Sequence, residues 1–316
     1  KSNFQLKNDN GEIYTNLNIF DFENIDNASY VGVFRGVDVD LSNFIILPFL
    51  GKSTFQFSIN GKGFVPELLN SKLKGKIDYL KINDYNYTNM DVSGYVSDKV
   101  FNGILNVDDE NIEMDFIGLI DYSDQLIDFD FSTNIFNANI GKLNLTSNEK
   151  NSLSGEITTK LRGSNIGDLI GDLSFNNFKY FSGDTTYNFD QLIAQSRINN
   201  DKRFYSINSP DALTGIIIGD LNFLQLTDVL KKHVFSNYKN FKSSDYTYSD
   251  VSFNLNLKPK FASVLNSKIV IDENTFIRGN FNIDKSYELI LTSPFIKSNE
   301  LSLENINLKI NNNSGF

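Results

Sequence analysis

The sequence contains no cysteine, which excludes a disulfide frame, a thiolate metal centre and a cysteine nucleophile together. A single histidine, His233, leaves a histidine-based triad, a zinc site or an imidazole proton relay with only one of its parts. No run approaches the roughly 18 apolar residues of a membrane-spanning helix, and the opening "KSNFQLKNDNGEIYTNL" has no signal-peptide core. That opening reads as the inside of a strand pattern, so the chain is expected to be a fragment of something longer. Tryptophan is absent and proline occurs only 5 times, whereas there are 28 Phe and 14 Tyr. Aromatic and β-branched residues suit half-buried pleated surfaces, and the short Asn, Ser, Thr and Asp clusters between them suit turns. Basic residues are the minority, 29 against 39 acidic, for a net charge of -10 spread along the chain. Such a surface repels phosphate backbones and anionic headgroups, so no nucleic acid is expected as a partner. The small basic clusters "LKKH" (Leu230 to His233) and "KNFK" (Lys239 to Lys242) read as solvated faces.

What is present is alternation. Ile112, Met114 and Phe116, then Ile127, Phe129 and Phe131, then Phe253, Leu255 and Leu257, then Ile306, Leu308 and Ile310 each recur at period two. That is the pattern of strands with one dry and one wet face. An almost wholly antiparallel β protein is expected.

The chain also repeats itself. "FQFSINGKGF" (Phe55 to Phe64) is followed by "VPELLNS" (Val65 to Ser71), "ITTKLRGSNI" (Ile157 to Ile166) by "IGDLIGDL" (Ile166 to Leu173), and "FNLNLKPKF" (Phe253 to Phe261) by "FASVLNSK" (Phe261 to Lys268). Each is an alternating strand, a turn and a short helical piece. Short helical turns are expected at 65–71, 166–172, 227–233 and 261–267, with junctions near residues 50, 153 and 249. The organisation is then the end of one unit at 1–50, units at 51–153 and 154–249, and a partial unit at 250–316. A repeat of this length implies several strands per unit stacked into one sheet, with no unit closing its own core.

Reactive constellations are thin. "SNEK" (Ser147 to Lys150) has the spacing of a serine acyl-enzyme but lies in a polar turn, with no partner motif following. "NVDDENIEMD" (Asn106 to Asp115) clusters carboxylates without the glycine and terminal glutamate of a calcium loop, so Asp108, Asp109 and Glu110 read as a hairpin tip. "GKG" (Gly61 to Gly63) is a turn and not a phosphate loop. With 39 acids, a close carboxylate pair carries no information about glycoside hydrolysis. No catalytic, cofactor-binding or metal-binding residue is assigned.

The recurring strands, the glycine turn, the "ELL" and "DLIGDL" pieces and the stretch "FNNFKYFSGDTTYNFDQLIAQSRINNDKRFYSINSPDALTGIIIGDLNF" (Phe175 to Phe223) resemble the long periplasmic repeat region of the TamB family. They are similar to AsmA-like lipid-transfer proteins in general, and most to the Bacteroidetes versions, whose Asn-, Lys- and Ile-rich style the chain shares. The resemblance spans nearly the whole chain as a texture of repeats. It implies an elongated antiparallel β-taco, a repeating β-groove with short amphipathic helical turns. It implies a periplasmic location in an inner-membrane-anchored protein, the anchor lying outside this chain, and an outer-membrane barrel partner of the BamA/TamA type. It further implies outer-membrane biogenesis by lipid transport between membranes, by assistance to outer-membrane protein assembly, or by both. It brings no catalytic residues.

Parity assigns a lining. Phe55, Phe57, Ile59, Ile112, Met114, Phe116, Ile127, Phe129, Phe131, Phe253, Leu255, Ile306 and Leu308 are expected to face a groove that holds phospholipid or other acyl chains. Gln56, Ser58, Glu113, Asp115, Asp128 and Asp130 are expected to face water. Two other readings stay open: a surface adhesin or binding stalk whose apolar faces are sealed, and a transmembrane β-barrel fragment.

Overall fold

A computed structural model describes residues 2–21, 23–43, 50–65, 67–146, 148–183, 185–220, 250–284 and 286–311. Two compact units are formed, one from Lys1–Lys160 with Lys179–Thr186 and the other from Leu161–Phe178 with Tyr187–Phe316. Each is antiparallel and all-β, as the alternation requires.

The first unit is a meander in which each strand pairs with the next. Its strands are β1 (Ser2–Asn8), β2 (Gly11–Phe20), β3 (Ser29–Asp40), β4 (Leu50–Lys62), β5 (Asn70–Ile82), β6 (Tyr85–Ser97), β7 (Val100–Asp109), β8 (Ile112–Asp121) and β9 (Ile127–Ala138). The division between units passes through β10 (Ser152–Gly163) and β11 (Ile170–Ser182). The second unit continues with β12 (Thr185–Asn199), β13 (Lys202–Ser209), β14 (Leu213–Gly219) and β15 (Val251–Leu257). Then follow the helix α1 (Pro259–Leu265), β16 (Val270–Ile271), β17 (Thr275–Phe281), β18 (Tyr287–Lys297) and β19 (Ser302–Asn311).

The polar clusters make the turns. Asn83 and Asp84 have φ of 47° and 65°, and Asn200 and Asp201 have 49° and 59°. Two successive left-handed residues form the hairpin turn whose twist matches that of the strands, and Asn and Asp tolerate that conformation best. Asp98 and Lys99 do the same at 52° and 63°, with the Lys99 ammonium 2.9 Å from the Glu67 carboxylate.

Of the expected helical turns that fall on described residues, only that at 261–267 is an α-helix, where Pro259 starts α1 at a position that needs no N–H donor. At 166–172 the chain makes a single 3-10 turn, Ile166–Asp168, capped by the Asn165 side chain accepting from the Gly167 N–H, and is strand again from Ile170. At 65–71 there is only a turn, the Leu68 N–H donating to the Val65 carbonyl, and β5 begins at Asn70. The strands leave only residues 63–69 and 164–169 free at these two places, too few to repay helix nucleation, whereas 258–269 between β15 and β16 gives α1 room. The turn expected at 227–233 lies outside the described residues.

Full burial is local. In the first unit Met90, Val107, Ile112, Ile135 and Ala138 cluster with Ile140 and Leu143 of the loop after β9, and Leu143 is 1% exposed. In the second, Ile217, Val251, Phe281 and Tyr287 form the buried set.

Candidate functional site: an apolar sheet face

Residues opposite one another in an antiparallel ladder point to the same side, so the registers fix which side chains share a face. In the first unit one row runs Phe34, Phe57, Gly75, Val92, Leu105, Phe116 and Thr133 from β3 to β9. A second runs Gly32, Ile59, Leu73, Gly94, Gly103, Gly118 and Phe131, and a third Gly36, Phe55, Ile77, Met90, Val107, Met114 and Ile135. None of these residues is charged. In the second unit the corresponding rows are Tyr205, Ile217, Phe253, Gly279, Leu289 and Ile310, and Ile207, Gly215, Leu255, Ile277, Leu291 and Leu308.

The registers therefore place Phe55, Phe57, Ile59, Met114, Phe116 and Phe131 on one face of the first unit. Ile112, Ile127 and Phe129 join them, through pairing with Asp109, by parity with Phe131, and through pairing with Ile120. Phe253, Leu255, Ile306 and Leu308 share one face of the second unit, Ile306 by its pairing with Ser293. Coverage of that face is uneven. Phe55 and Ile112 are buried, whereas Phe57, Ile59, Phe116, Phe129 and Phe131 are only half-buried. Leu308 is 47% exposed because β19 has β18 as its sole hydrogen-bonded neighbour among the described strands.

Aromatic rings crowd the face and set its relief. Phe55 lies with its ring centroid 5.2 Å from that of Phe57 and 5.5 Å from that of Phe34, and Phe116 lies 5.0 Å from Phe131. Opposite Phe55 stands Gly36, where an added Cβ falls 2.6 Å from the Phe55 Cζ. The ring can lie down across the neighbouring strand only because that position has no side chain.

Of the residues expected to face water, Gln56, Ser58, Glu113, Asp115 and Asp130 are exposed. Asp128 is not: it is half-buried at the start of β9, opposite Asp121. Strand ends do not hold the parity that strand centres do.

The carboxylates of "NVDDENIEMD" split between two environments. Asp108 is exposed, whereas Asp109 is 8% exposed beneath the β7–β8 turn. Burial acts to raise the Asp109 pKa, but hydrogen bonds outweigh it and the pKa is lowered. The Thr88 hydroxyl and the Tyr85 hydroxyl donate at 2.7 and 2.5 Å, and the Asn111 and Thr88 N–H groups each donate at 2.9 Å. Burial and this carboxylate together push the Tyr85 phenol up to about 12. Both carboxylate oxygens of Asp109 are used, in tying the β7–β8 turn to β6, which makes it a structural network. Among the described residues no group of three His, Asp or Glu side chains is placed to hold a metal ion.

Sequence reading missed Leu73, Val92 and Leu105 as members of the apolar face. The signal was there in β5, where Leu73, Gly75 and Ile77 alternate with Lys72, Lys74 and Lys76, but the glycine interrupts the apolar series. In the second unit a pocket of about 470 Å³ opens on the opposite face, lined by residues that include Ile216, Asn254, Arg278, Asn280 and Glu288. Comparison with known proteins finds no matching family model, no matching curated protein and no matching solved structure.

Proposed function

We propose that the apolar faces hold hydrocarbon and that the chain conducts lipid acyl chains. The observation that carries this reading is the set of uncharged rows of the first unit, whose Phe57, Ile59, Leu73, Leu105, Phe116 and Phe131 remain half-buried among the described residues. Apolar surface left against water costs roughly 25 cal/mol per Å², so a standing face of this kind calls for an occupant. Moving an acyl tail into water costs about 0.8 kcal/mol per methylene, or about 12 kcal/mol for a sixteen-carbon tail, and a continuous apolar row removes that barrier with no chemistry.

The resemblance to TamB-like repeat regions supplies the setting. In this reading the chain is a periplasmic part of an inner-membrane-anchored protein working with an outer-membrane barrel of the BamA/TamA type. Its task is to carry lipid between the membranes, to assist outer-membrane protein assembly, or both. The test is uptake of cis-parinaric acid, whose fluorescence rises on entering an apolar site. Saturable uptake by the purified chain, abolished by Phe116→Asp, supports the proposal; no uptake refutes it. One observation favours a second reading: Leu143 and its neighbours are sealed, as a structural stalk requires. That sealing extends over Met90, Val107 and Ile135, and Val92 and Thr133 of the Phe57 row are buried too, but Phe57, Ile59, Leu73, Leu105, Phe116 and Phe131 are only half-buried.

A further inference from the structure

The polar side of the first unit carries a concentration of positive charge that the net charge of -10 conceals. Lys72, Lys74 and Lys76 occupy alternate positions of β5, so all three project to the side opposite Leu73, at spacings of roughly 6.8 Å. Gln56 pairs with both Lys76 and Arg35, which puts Arg35 of β3 on the same side, and Lys62 of β4 shares its parity with Gln56. All five cations are exposed.

Their neighbours do not neutralise them. Lys72 lies between Asn60 and Tyr95, and Lys74 between Ser58 and Ser93. Only Lys76 faces a carboxylate, Asp91, at 3.8 Å with both side chains more than half exposed. Arg35 sits over the Tyr14 ring, 5.8 Å from its centroid. Among the described residues Arg35, Lys62, Lys72 and Lys74 make no ion pair. The chain has 39 acids, so the lack of one opposite these lysines is not a shortage of carboxylates. Nor is β5 an edge strand needing charge against aggregation, since β4 and β6 flank it. Like charges on adjacent positions repel, and the arrangement therefore calls for an anionic counterpart.

We infer that this patch docks the first unit onto an anionic phospholipid bilayer. The charges spread in two dimensions over β3, β4 and β5 rather than along one strand, the layout of a surface that meets a sheet of headgroups and not a single extended peptide. Interleaved with them are Val31, Val33 and Tyr95, exposed at 39%, 37% and 44%. Apolar and tyrosine side chains among lysines are the mixture that settles at a headgroup boundary. Docking by the polar side leaves the apolar rows free, so the inference stands or falls separately from acyl conduction.

The test is flotation of the whole chain with vesicles of phosphatidylcholine, with or without phosphatidylglycerol. Binding is expected only with phosphatidylglycerol, to weaken with salt, and to fall about fivefold per charge removed, so about 25-fold in Lys72→Gln/Lys74→Gln. Lys268→Gln in the second unit, exposed and outside the patch, should leave it unchanged. Circular dichroism of each variant confirms that it is folded. Equal flotation with pure phosphatidylcholine overturns the inference, as does full binding by the double variant. Capture by polyglutamate without any vesicle binding also overturns it, in favour of an acidic protein partner.

Discussion

Leu143 and Leu73 differ in coverage and not in chemistry, so truncating each to alanine measures how open the apolar face is. Leu143 is 1% exposed within the cluster of Met90, Val107, Ile112 and Ile135. Removing its three carbons forfeits about 2.4 kcal/mol of transfer free energy at about 0.8 kcal/mol each. A cavity contribution of about 1–2 kcal/mol adds to this, because the sealed surroundings relax only in part. Leu143→Ala should therefore cost about 3–4 kcal/mol. Leu73 lies half-buried between Ile59 and Gly94. Truncation there forfeits roughly half the transfer term, about 1.2 kcal/mol, and leaves no sealed cavity since solvent already reaches the site. The gap of about 2 kcal/mol corresponds to about 4–8 °C in Tm for a unit of this size, well within reach of thermal or urea denaturation followed by circular dichroism. If Leu73→Ala costs as much as Leu143→Ala, Leu73 is covered, the face is a closed core, and an open hydrocarbon-holding surface is refuted.

Asp109→Asn should destabilise by about 2 kcal/mol, since four donors converge on a charged acceptor that an amide replaces poorly. Because the native Asp109 pKa is lowered, the stability it contributes is present above the ordinary value of 3.8 and lost as pH falls through the native value; urea midpoints should show that acid-limb loss in the native protein and not in the variant. Gly118→Ala should disrupt the β8–β9 pairing, because the new Cβ lies 2.4 Å from the Phe131 Cβ and 2.5 Å from the Asp130 carbonyl oxygen, and backbone cannot swing aside; unchanged stability would contradict the register. Phe129→Asp should abolish cis-parinaric acid uptake by placing an unpaired carboxylate on the apolar face, while Glu113→Lys on the exposed side stays within about 0.5 kcal/mol of the native stability.

The alternation in "FQFSIN" was legible because Phe55, Phe57 and Ile59 face one side of a regular strand and Gln56, Ser58 and Asn60 the other. Period two is a property of the backbone, so it survives wherever a strand is regular. It fails where strands end, as at Asp128, and where a helix of one turn competes with strand, as at Val65 to Ser71. The buried role of Asp109 was not legible, because Asp108, Asp109 and Glu110 look alike in sequence and only the pairing of β7 with β6 brings Tyr85 and Thr88 to one of them. The lysine patch escaped for a related reason. Its members are separated by Leu73 and Gly75 in sequence and by whole strands from Arg35 and Lys62, so no contiguous basic run marks it.

The most direct measurement of acyl conduction is site-specific photo-crosslinking in cells, with a photoreactive side chain at Phe116 in one strain and at Asp115 in another. The two positions are adjacent in β8 but point to opposite faces, Phe116 pairing with Leu105 and Asp115 with Asn106. Lipid attached at Phe116 and not at Asp115 is the predicted result. Equal labelling at both, or none at Phe116, would contradict a hydrocarbon-holding face and leave a structural stalk as the better account.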